Sequence, residues 1–169
     1  AHVPIVMVGS DPGSWAGSNV APEVLVESSR YLLLNGPANM ENLLRYLLAT
    51  VLDVDIDFGE PEELPWQGLC NPALGQLHAD VQAYLNDYRA SLDFEPTAYV
   101  GLLYSRTSWV TANLEVEREL IRALEERGLG VIPAFMYSMK DKNLGNLSGV
   151  EVIENYMLAD GQPLVGGIV

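Results

Sequence analysis

The spacing of apolar residues predicts helices early in the chain and alternating strands and helices later. Val3 to Val8 is a β-branched run followed by turn residues through Gly13, a pattern typical of a strand and a turn. Two stretches with helical periodicity follow, from Pro22 to about Leu34 and from about Asn39 to Val51. The expected N-caps of these helices are Asn19 and Asn39.

The middle of the chain has a different composition. Residues 53–72 are acidic, contain proline and glycine, and show no periodicity, so we expect a long connector. Asn71 and Pro72 have the pattern of an N-cap followed by proline at the first helical position. Apolar residues from Leu74 to Tyr88 recur at helical spacing, which predicts a helix that ends near Leu92.

The last part of the chain predicts a repeated strand and helix pattern. Tyr99 to Tyr104 is apolar throughout, as expected for a strand buried on both faces. We expect a loop from Ser105 to Ala112, then a helix capped by Asn113 and closed by Gly128. The expected buried stripe of this helix consists of Val116, Leu120, Ala123 and Leu124. The remaining predicted elements are a strand at Val131–Phe135, a loop at Tyr137–Leu147, a helix at Val150–Leu158 ended by Gly161, and a strand at Leu164–Val169.

This order of elements predicts an α/β fold with a helical N-terminal segment and a flavodoxin-like (Rossmann-like) parallel sheet built from βαβαβ units. Residues 1–52 form a strand plus the helical segment, residues 53–72 form the connector, and residues 73–169 form a helix followed by the βαβαβ unit. Because no covering helix follows the last strand, we expect a chain truncated at its C-terminus, a piece of a longer polypeptide.

Charge excludes two classes of partner. The 169 residues include 9 basic and 23 acidic side chains, a formal net charge of −14. A nucleic-acid backbone or an anionic membrane surface attracts clustered basic residues, so we expect neither as a partner. No secretory signal or membrane-spanning run is recognisable, and the single cysteine, Cys70, cannot form an intrachain disulfide. We therefore expect a cytoplasmic protein.

The clearest candidate chemistry follows the Tyr99–Tyr104 strand. Ligands of open α/β sheets bind beyond the carboxyl ends of the strands, and Ser105–Trp109 offers a guanidinium, three hydroxyls and an indole there. Arg106 suits a carboxylate, which a guanidinium binds through two hydrogen bonds. The alternatives are that Arg106 pairs with a neighbouring acid and that Trp109 covers the core. Lys140 either lies at the rim of the same cleft or belongs to a solvated loop.

Known catalytic templates do not match. The sequence has no P-loop, no G-x-G-x-x-G pattern and no G-x-S-x-G nucleophile elbow. His2, His78 and Cys70 lack the spacing of zinc ligands. We therefore expect no metal site and no catalytic constellation that works in this chain alone.

Several short segments carry a family resemblance. They are Gly36–Leu44 (GPANMENLL), Leu64–Gly68 (LPWQG), Val100–Arg106 (VGLLYSR) followed by Asn113, Val131–Phe135 (VIPAF) and Tyr137–Asp141 (YSMKD). In this order they resemble segments of the large subunit of the cobaltochelatase and magnesium chelatase family. The spacing from Arg106 to Asn113 and the Ser138–Asp141 segment resemble the cobalt (CobN-type) branch more than the magnesium branch. The chain departs from the family pattern at Ala112, where glycine is usual, and at Cys70 and Asn71, where tyrosine and histidine are usual.

The resemblance implies a fragment from the N-terminal half of a very large subunit that binds a tetrapyrrole while a divalent metal, cobalt or magnesium, is inserted. The resemblance implies that separate ATPase chelatase subunits bind ATP with Mg²⁺ and hydrolyse it, so we expect no cofactor on this fragment and no catalysis by the fragment alone. The expected substrate contacts are Arg106, Asn113 and Lys140.

The preferred function is that of a fragment of the large, tetrapyrrole-binding subunit of an ATP-dependent cobaltochelatase, which inserts the metal in cobalamin biosynthesis. The alternatives are a fragment of a magnesium chelatase large subunit, in the chlorophyll pathway, a flavodoxin-like module for a small anionic ligand or nucleotide, and a structural scaffold that binds nothing.

Overall fold

The computed structural model describes residues 3–9 and 12–169, which divide into two compact units, Ala1–Leu64 and Pro65–Val169. The turn predicted through Gly13 lies partly outside the described residues. Within these described residues, the first unit has one buried cluster of side chains and the second unit has three, and the two units are described separately below.

Two helices form the core of the first unit. After a 3-10 helix at Pro12–Gly17, α1 spans Pro22–Leu34 and α2 spans Pro37–Leu52. A proline at the start of each helix is favourable because the N–H of the first helical residue has no acceptor within the helix, so its absence costs no hydrogen bond. The buried side chains between the helices are Val24, Tyr31, Leu43 and Tyr46, and the Tyr31 and Tyr46 ring centroids lie 5.9 Å apart. Both predicted helices are confirmed.

The predicted N-caps of these helices are wrong. Ala21 precedes α1 and Gly36 precedes α2, and neither helix has a side-chain cap. Asn19 and Asn39 instead bind other parts of the backbone, because tertiary partners compete successfully for their amides.

The segment 3–9 (the N-terminal segment) is tied to the residues before α1. The Ile5 N–H donates to Asn19 Oδ1 at 2.6 Å, and Asn19 Nδ2 donates to the Val3 carbonyl at 3.0 Å. The Met7 N–H donates to Ser18 Oγ at 2.8 Å. This alternation is that of an extended chain. The predicted strand is therefore extended, but it belongs to no sheet within the described residues.

The residues after α2 are held against it by side chains. Asn39 Nδ2 donates to the Glu62 carbonyl at 2.8 Å, and the Glu62 N–H donates to Asn39 Oδ1 at 2.9 Å. The Gly59 N–H donates to Asn42 Oδ1 at 2.9 Å, and Tyr31 Oη donates to the Gly59 carbonyl at 2.5 Å. The part of the connector around Gly59 and Glu62 is thus held by side-chain hydrogen bonds rather than by regular secondary structure.

The second unit is built around a mixed sheet. Its elements are β1 (Gln67–Cys70), β2 (Leu77–His78), α3 (Val81–Ser91), β3 (Ala98–Ser105), α4 (Arg106–Val110), α5 (Glu115–Glu125), β4 (Leu129–Met136), α6 (Gly149–Tyr156), β5 (Leu158–Ala159), β6 (Gln162–Pro163) and β7 (Gly167–Ile168). The sheet runs in the order β2-β1-β4-β3-β7. Strand β3 is parallel to β4 and β7, and β1 is antiparallel to β4 and β2. The α/β class is confirmed.

Helices cover both faces of this sheet. On one face, Ile121 of α5 packs against Leu102 and Val131. On the other face, side chains of α3 and α6 pack around Ile132 and Ala134. Successive residues of β3 and β4 therefore point into different clusters, which explains why both strands are apolar throughout.

The connector and the helix predicted after it are partly wrong. Strand β1 lies inside the predicted connector, since pairing with β4 and β2 stabilises four residues that have no strand pattern of their own. The predicted helix from residue 73 begins only at Val81, where the Asp80 carboxylate accepts hydrogen bonds from the N–H groups of Gln82 and Ala83. Gly75, at φ 68°, and β2 occupy the intervening residues.

Helix α5 is rotated relative to the prediction. The buried positions are Glu117 and Ile121, whereas Val116 is 69% exposed. Leu120 is also exposed, so two of the four residues of the predicted stripe point away from the core. Burial of Leu114 before the helix sets this rotation, because residues three and seven positions later share its face.

The ends of two predicted elements also differ. Residues 106–110 of the predicted loop form α4. Asn113 does not cap α5, since Leu114 holds that position. Asp160 and Gly161 both have positive φ and form the two-residue turn between β5 and β6, so Gly161 does not end α6.

None of the helices in the described part of the chain combines the length and the apolar character needed to cross a lipid bilayer.

We predict that Asn39→Ala destabilises the first unit by about 2–3 kcal/mol, because the backbone N–H and carbonyl of Glu62 lose a buried partner. Urea unfolding of the chain followed by circular dichroism measures this effect. The control is Asn42→Ala, which removes one exposed hydrogen bond and is expected to cost about 1 kcal/mol or less. Equal effects of the two substitutions would contradict the clamp at Asn39.

We predict that Ala112→Gly stabilises the second unit by roughly 0.5–1 kcal/mol. Ala112 has φ 56°, a left-handed conformation that is strained for alanine and free of strain for glycine. The control is Ala123→Gly inside α5, which is expected to destabilise by about 1 kcal/mol. Thermal unfolding of the two variants compares them, and destabilisation by both would contradict the assigned strain.

Candidate functional site

Three segments meet where β3 and β4 end. The parallel register pairs Ser105 with Met136, and the antiparallel register pairs Met136 with Gln67 at the start of β1. Side chains next to these residues come together although they are far apart in the sequence. We call this group the edge cluster: Trp66, Arg106 and Tyr137.

Arg106 is the charged member of the edge cluster. It is only 8% exposed, and its Nε donates to the Pro65 carbonyl at 2.8 Å. Its guanidinium carbon lies 4.1 Å from the centroid of the Trp66 ring, a cation–π contact. As the first residue of α4, it follows Ser105, whose hydroxyl accepts a hydrogen bond from the Thr107 N–H. The end of β3 and the start of α4 thus fix its position.

The aromatic members of the edge cluster contact each other. The Trp66 and Tyr137 ring centroids lie 5.6 Å apart in an edge-to-face arrangement. Tyr137 is 38% exposed, so the cluster reaches the surface. The indole Nε1 of Trp66 is buried and has no hydrogen-bond partner among residues 3–9 and 12–169. The cluster combines a planar cation, aromatic surface and a spare N–H donor.

Lys140 lies on the loop after β4 and pairs with an acid of α6. Its Nζ lies 2.5 Å from Glu151 Oε1 and 2.6 Å from Oε2. Glu151 also accepts hydrogen bonds from the N–H and hydroxyl of Ser148, which is the N-cap of α6. The ammonium of Lys140 first, and Ser148 second, lower the pKa of Glu151 to about 2. In this structure Lys140 tethers the loop to α6.

Asn113 lies between α4 and α5. Its backbone N–H donates to the Ser108 carbonyl at 3.0 Å, and the residue is exposed. The observed contacts therefore place Arg106, Asn113 and Lys140 in three different surroundings. Their contact with a substrate stays a prediction.

Trp109 and Cys70 belong to the core next to the edge cluster. Trp109 stacks on Phe135 with the ring centroids 4.1 Å apart, so it covers the core. The Tyr104 hydroxyl donates to the Cys70 carbonyl at 2.8 Å. Burial raises the pKa of both the Cys70 thiol and the Tyr104 hydroxyl, which keeps both groups neutral at physiological pH.

His78 lies on β2 and not on a helix. It is buried, and its Nε2 lies 2.9 Å from Asp87 Oδ2. Among the described residues, no group of three or more His, Cys, Asp or Glu side chains is arranged to hold a metal ion.

The sequence did not identify Trp66 and Tyr137 as site residues. Both belong to segments that carried the family resemblance, LPWQG and YSMKD, and this was the available signal. Their link to Arg106 depends on the pairing of β1 with β4, which the sequence did not predict.

The fold and the edge cluster define an α/β protein with a candidate contact site at the carboxyl ends of its parallel strands. The family pattern that matches residues 29–169 is described as CobN/Magnesium Chelatase. This match covers most of the sequence, and the chain belongs to the CobN/magnesium chelatase family.

Two relatives with known sequences illustrate the extent of the match. An uncharacterized protein of Methanocaldococcus jannaschii is 28% identical over 141 residues, which are 83% of this chain and 11% of that protein. A magnesium-chelatase subunit of Chlorobaculum parvum is 24% identical over 111 residues, which are 65% of this chain and 9% of that protein. The chain spans about a tenth of the length of these curated relatives.

A solved structure supports the fold. The catalytic subunit of cobaltochelatase from Mycobacterium tuberculosis matches with a TM-score of 0.55 and 21% identity, over 82% of this chain and 10% of that chain. This chain therefore shares the α/β fold of the matching part of that subunit.

We predict that Glu151→Gln lowers the thermal stability near neutral pH and removes part of its pH dependence in acid. The folded pKa of Glu151, about 2, lies below its ordinary value of 4.5. The carboxylate therefore contributes stability above pH 4.5, and this contribution is lost as the pH falls toward 2. Melting temperatures of the wild type and the variant should converge over that range. Glu154→Gln, at an exposed position of α6, is the control, and parallel curves for wild type and Glu151→Gln would contradict the prediction.

Proposed function

We propose that this chain is part of the large subunit of an ATP-dependent metal chelatase and that the edge cluster contacts its tetrapyrrole substrate. The match to the CobN/magnesium chelatase family over residues 29–169 supports the first part. The stacked pair of Arg106 and Trp66 at the ends of the strands is the observation that carries the second part.

The chemistry of the edge cluster fits a tetrapyrrole. The macrocycle is a large, flat, mostly apolar ring with carboxylate or amide side chains at its periphery. The exposed edge of Tyr137 and the Trp66 ring offer aromatic contact to such a ring. Arg106 offers hydrogen bonds and charge to a peripheral carboxylate, and Trp66 Nε1 is a buried donor that an oxygen acceptor would satisfy.

The position of Arg106 suits recognition of the substrate more than proton transfer. A guanidinium remains protonated throughout the physiological range, so it binds and orients an anionic group but does not act as a base. Stacking on Trp66 and the hydrogen bond to Pro65 hold its plane in one orientation before a ligand arrives. Such preorganisation lowers the entropy cost of binding.

Asn113 and Lys140 have smaller parts in this proposal. Asn113 is an exposed amide beyond α4 that suits a peripheral amide or carboxylate of the ring. Lys140 acts through its pairing with Glu151, which fixes the loop that begins at Tyr137. We therefore propose that Lys140 positions the edge cluster, and its direct contact with the substrate stays a prediction.

The proposed metal substrate is cobalt, with magnesium as the alternative. The resemblance of Arg106…Asn113 and Ser138–Asp141 to the CobN branch supports cobalt. We propose that partner ATPase subunits bind ATP with Mg²⁺ and that this chain catalyses nothing alone.

Substitution of Arg106 in the intact large subunit tests this proposal. We predict that Arg106→Ala weakens binding of a metal-free, carboxylate-bearing porphyrin or corrin ring roughly 10- to 150-fold, because a charge-assisted hydrogen-bonded pair contributes about 1.5–3 kcal/mol. Tyr137→Ala, at an exposed position, should weaken binding severalfold without affecting the core. Quenching of tryptophan fluorescence during titration measures the affinity.

Two further variants control for a purely structural effect. Arg106→Lys keeps the charge but loses the planar stacking, and it should bind less tightly than wild type. Arg30→Ala, at an exposed position of α1, should bind as wild type does. Unchanged affinity in both Arg106→Ala and Tyr137→Ala would exclude the edge cluster as the contact with the substrate. The identity of the metal is tested separately, by comparing the rates at which the complete complex inserts Co²⁺ and Mg²⁺ into the ring.

A further inference from the structure

One edge of the N-terminal segment has no partner in the described residues. The residues at positions 3, 5 and 7 use their backbone groups to bind Asn19 and Ser18. In an extended chain, the backbone groups of the alternate residues point to the opposite edge. Among residues 3–9 and 12–169, no hydrogen bond is found for the backbone N–H groups of Val6 and Val8.

An apolar groove lies next to this segment. Pro4 and Val6 line one side of it, and residues of α2 line the other, with a volume of about 340 Å³. The α2 residues in the lining are Leu44, Leu47, Leu48, Val51 and Leu52. Leu44 is 64% exposed and Leu52 is 54% exposed, although both are apolar and lie on a helix.

The unpaired edge and the apolar groove are both suited to binding a β-strand. An unpaired strand edge binds another strand through backbone hydrogen bonds, and an apolar groove binds alternate side chains of that strand. A helical partner would fill the groove but leave the N–H groups of Val6 and Val8 unbound. A strand with an apolar residue at every second position satisfies both.

We propose that a β-strand from a region of the same large subunit outside residues 1–169 pairs with the free edge of the N-terminal segment and seats its apolar side chains in the groove over α2. The relatives supply the argument for this source, because the aligned region is only 11% of one relative and 10% of the matched cobaltochelatase chain. The inference rests on the proposed large-subunit function, and it adds a docking role for the first unit.

Amide hydrogen exchange in the intact large subunit tests this inference at single-residue resolution. The Val6 and Val8 amides are expected to exchange about 100-fold more slowly in the intact subunit than in the 169-residue chain. The Ile5 and Met7 amides, which already have partners, are expected to change much less. The readout needs no tetrapyrrole, so its failure is distinguishable from a failure of the proposed substrate contact.

A matched pair of variants tests the groove. Leu44→Lys in the intact subunit is expected to restore fast exchange at Val6 and Val8, while Leu33→Lys, at an exposed position of α1 outside the groove, leaves the protection unchanged. Fast exchange at Val6 and Val8 in the intact subunit would overturn the proposal. Protection that appears in the 169-residue chain and increases with its concentration would also overturn it, because the occupant would then be a second copy.

Discussion

The parallel pairing of β3 with β4 is the constraint on which the second unit depends. Its register runs from Ala98 opposite Leu129 to Ser105 opposite Met136. Both strands are buried on both faces by helices, so a shift of one residue would move every side chain to the wrong cluster. Because of this register, β3 and β4 end at the same edge of the sheet. At this edge Arg106 and Tyr137 both contact Trp66.

The first unit depends on a different kind of interaction. Its core between α1 and α2 is small, and the amides of Asn39 and Asn42 hold the backbone at Glu62 and Gly59. Both asparagines belong to the segment whose spacing resembled the chelatase family. Their role in this chain is to order a segment that has no helix or strand of its own, which is a structural reason for two asparagines at that spacing.

Arg106 is a fixed guanidinium in a strongly acidic chain. The chain carries a net charge of −14, and several surface arginines pair with acids within their own helices. Arg106 is buried, stacks on Trp66 and donates a hydrogen bond to the Pro65 carbonyl. These contacts hold the guanidinium plane in one orientation, and the proposed contact with a ligand depends on this orientation.

Local periodicity was enough to predict the α/β class, the two early helices, β3, β4 and α6, and the family segments, which occur in order, were enough to predict the family. The sequence also identified Arg106 as the candidate residue of the β3 end. The remaining features depend on tertiary contacts. Strand β1 forms because its backbone pairs with β4. Burial of Leu114 sets the rotation of α5, and Asn39 binds the backbone of Glu62 instead of capping a helix. Each of these depends on partners distant in the sequence, and local patterns contain no information about such partners.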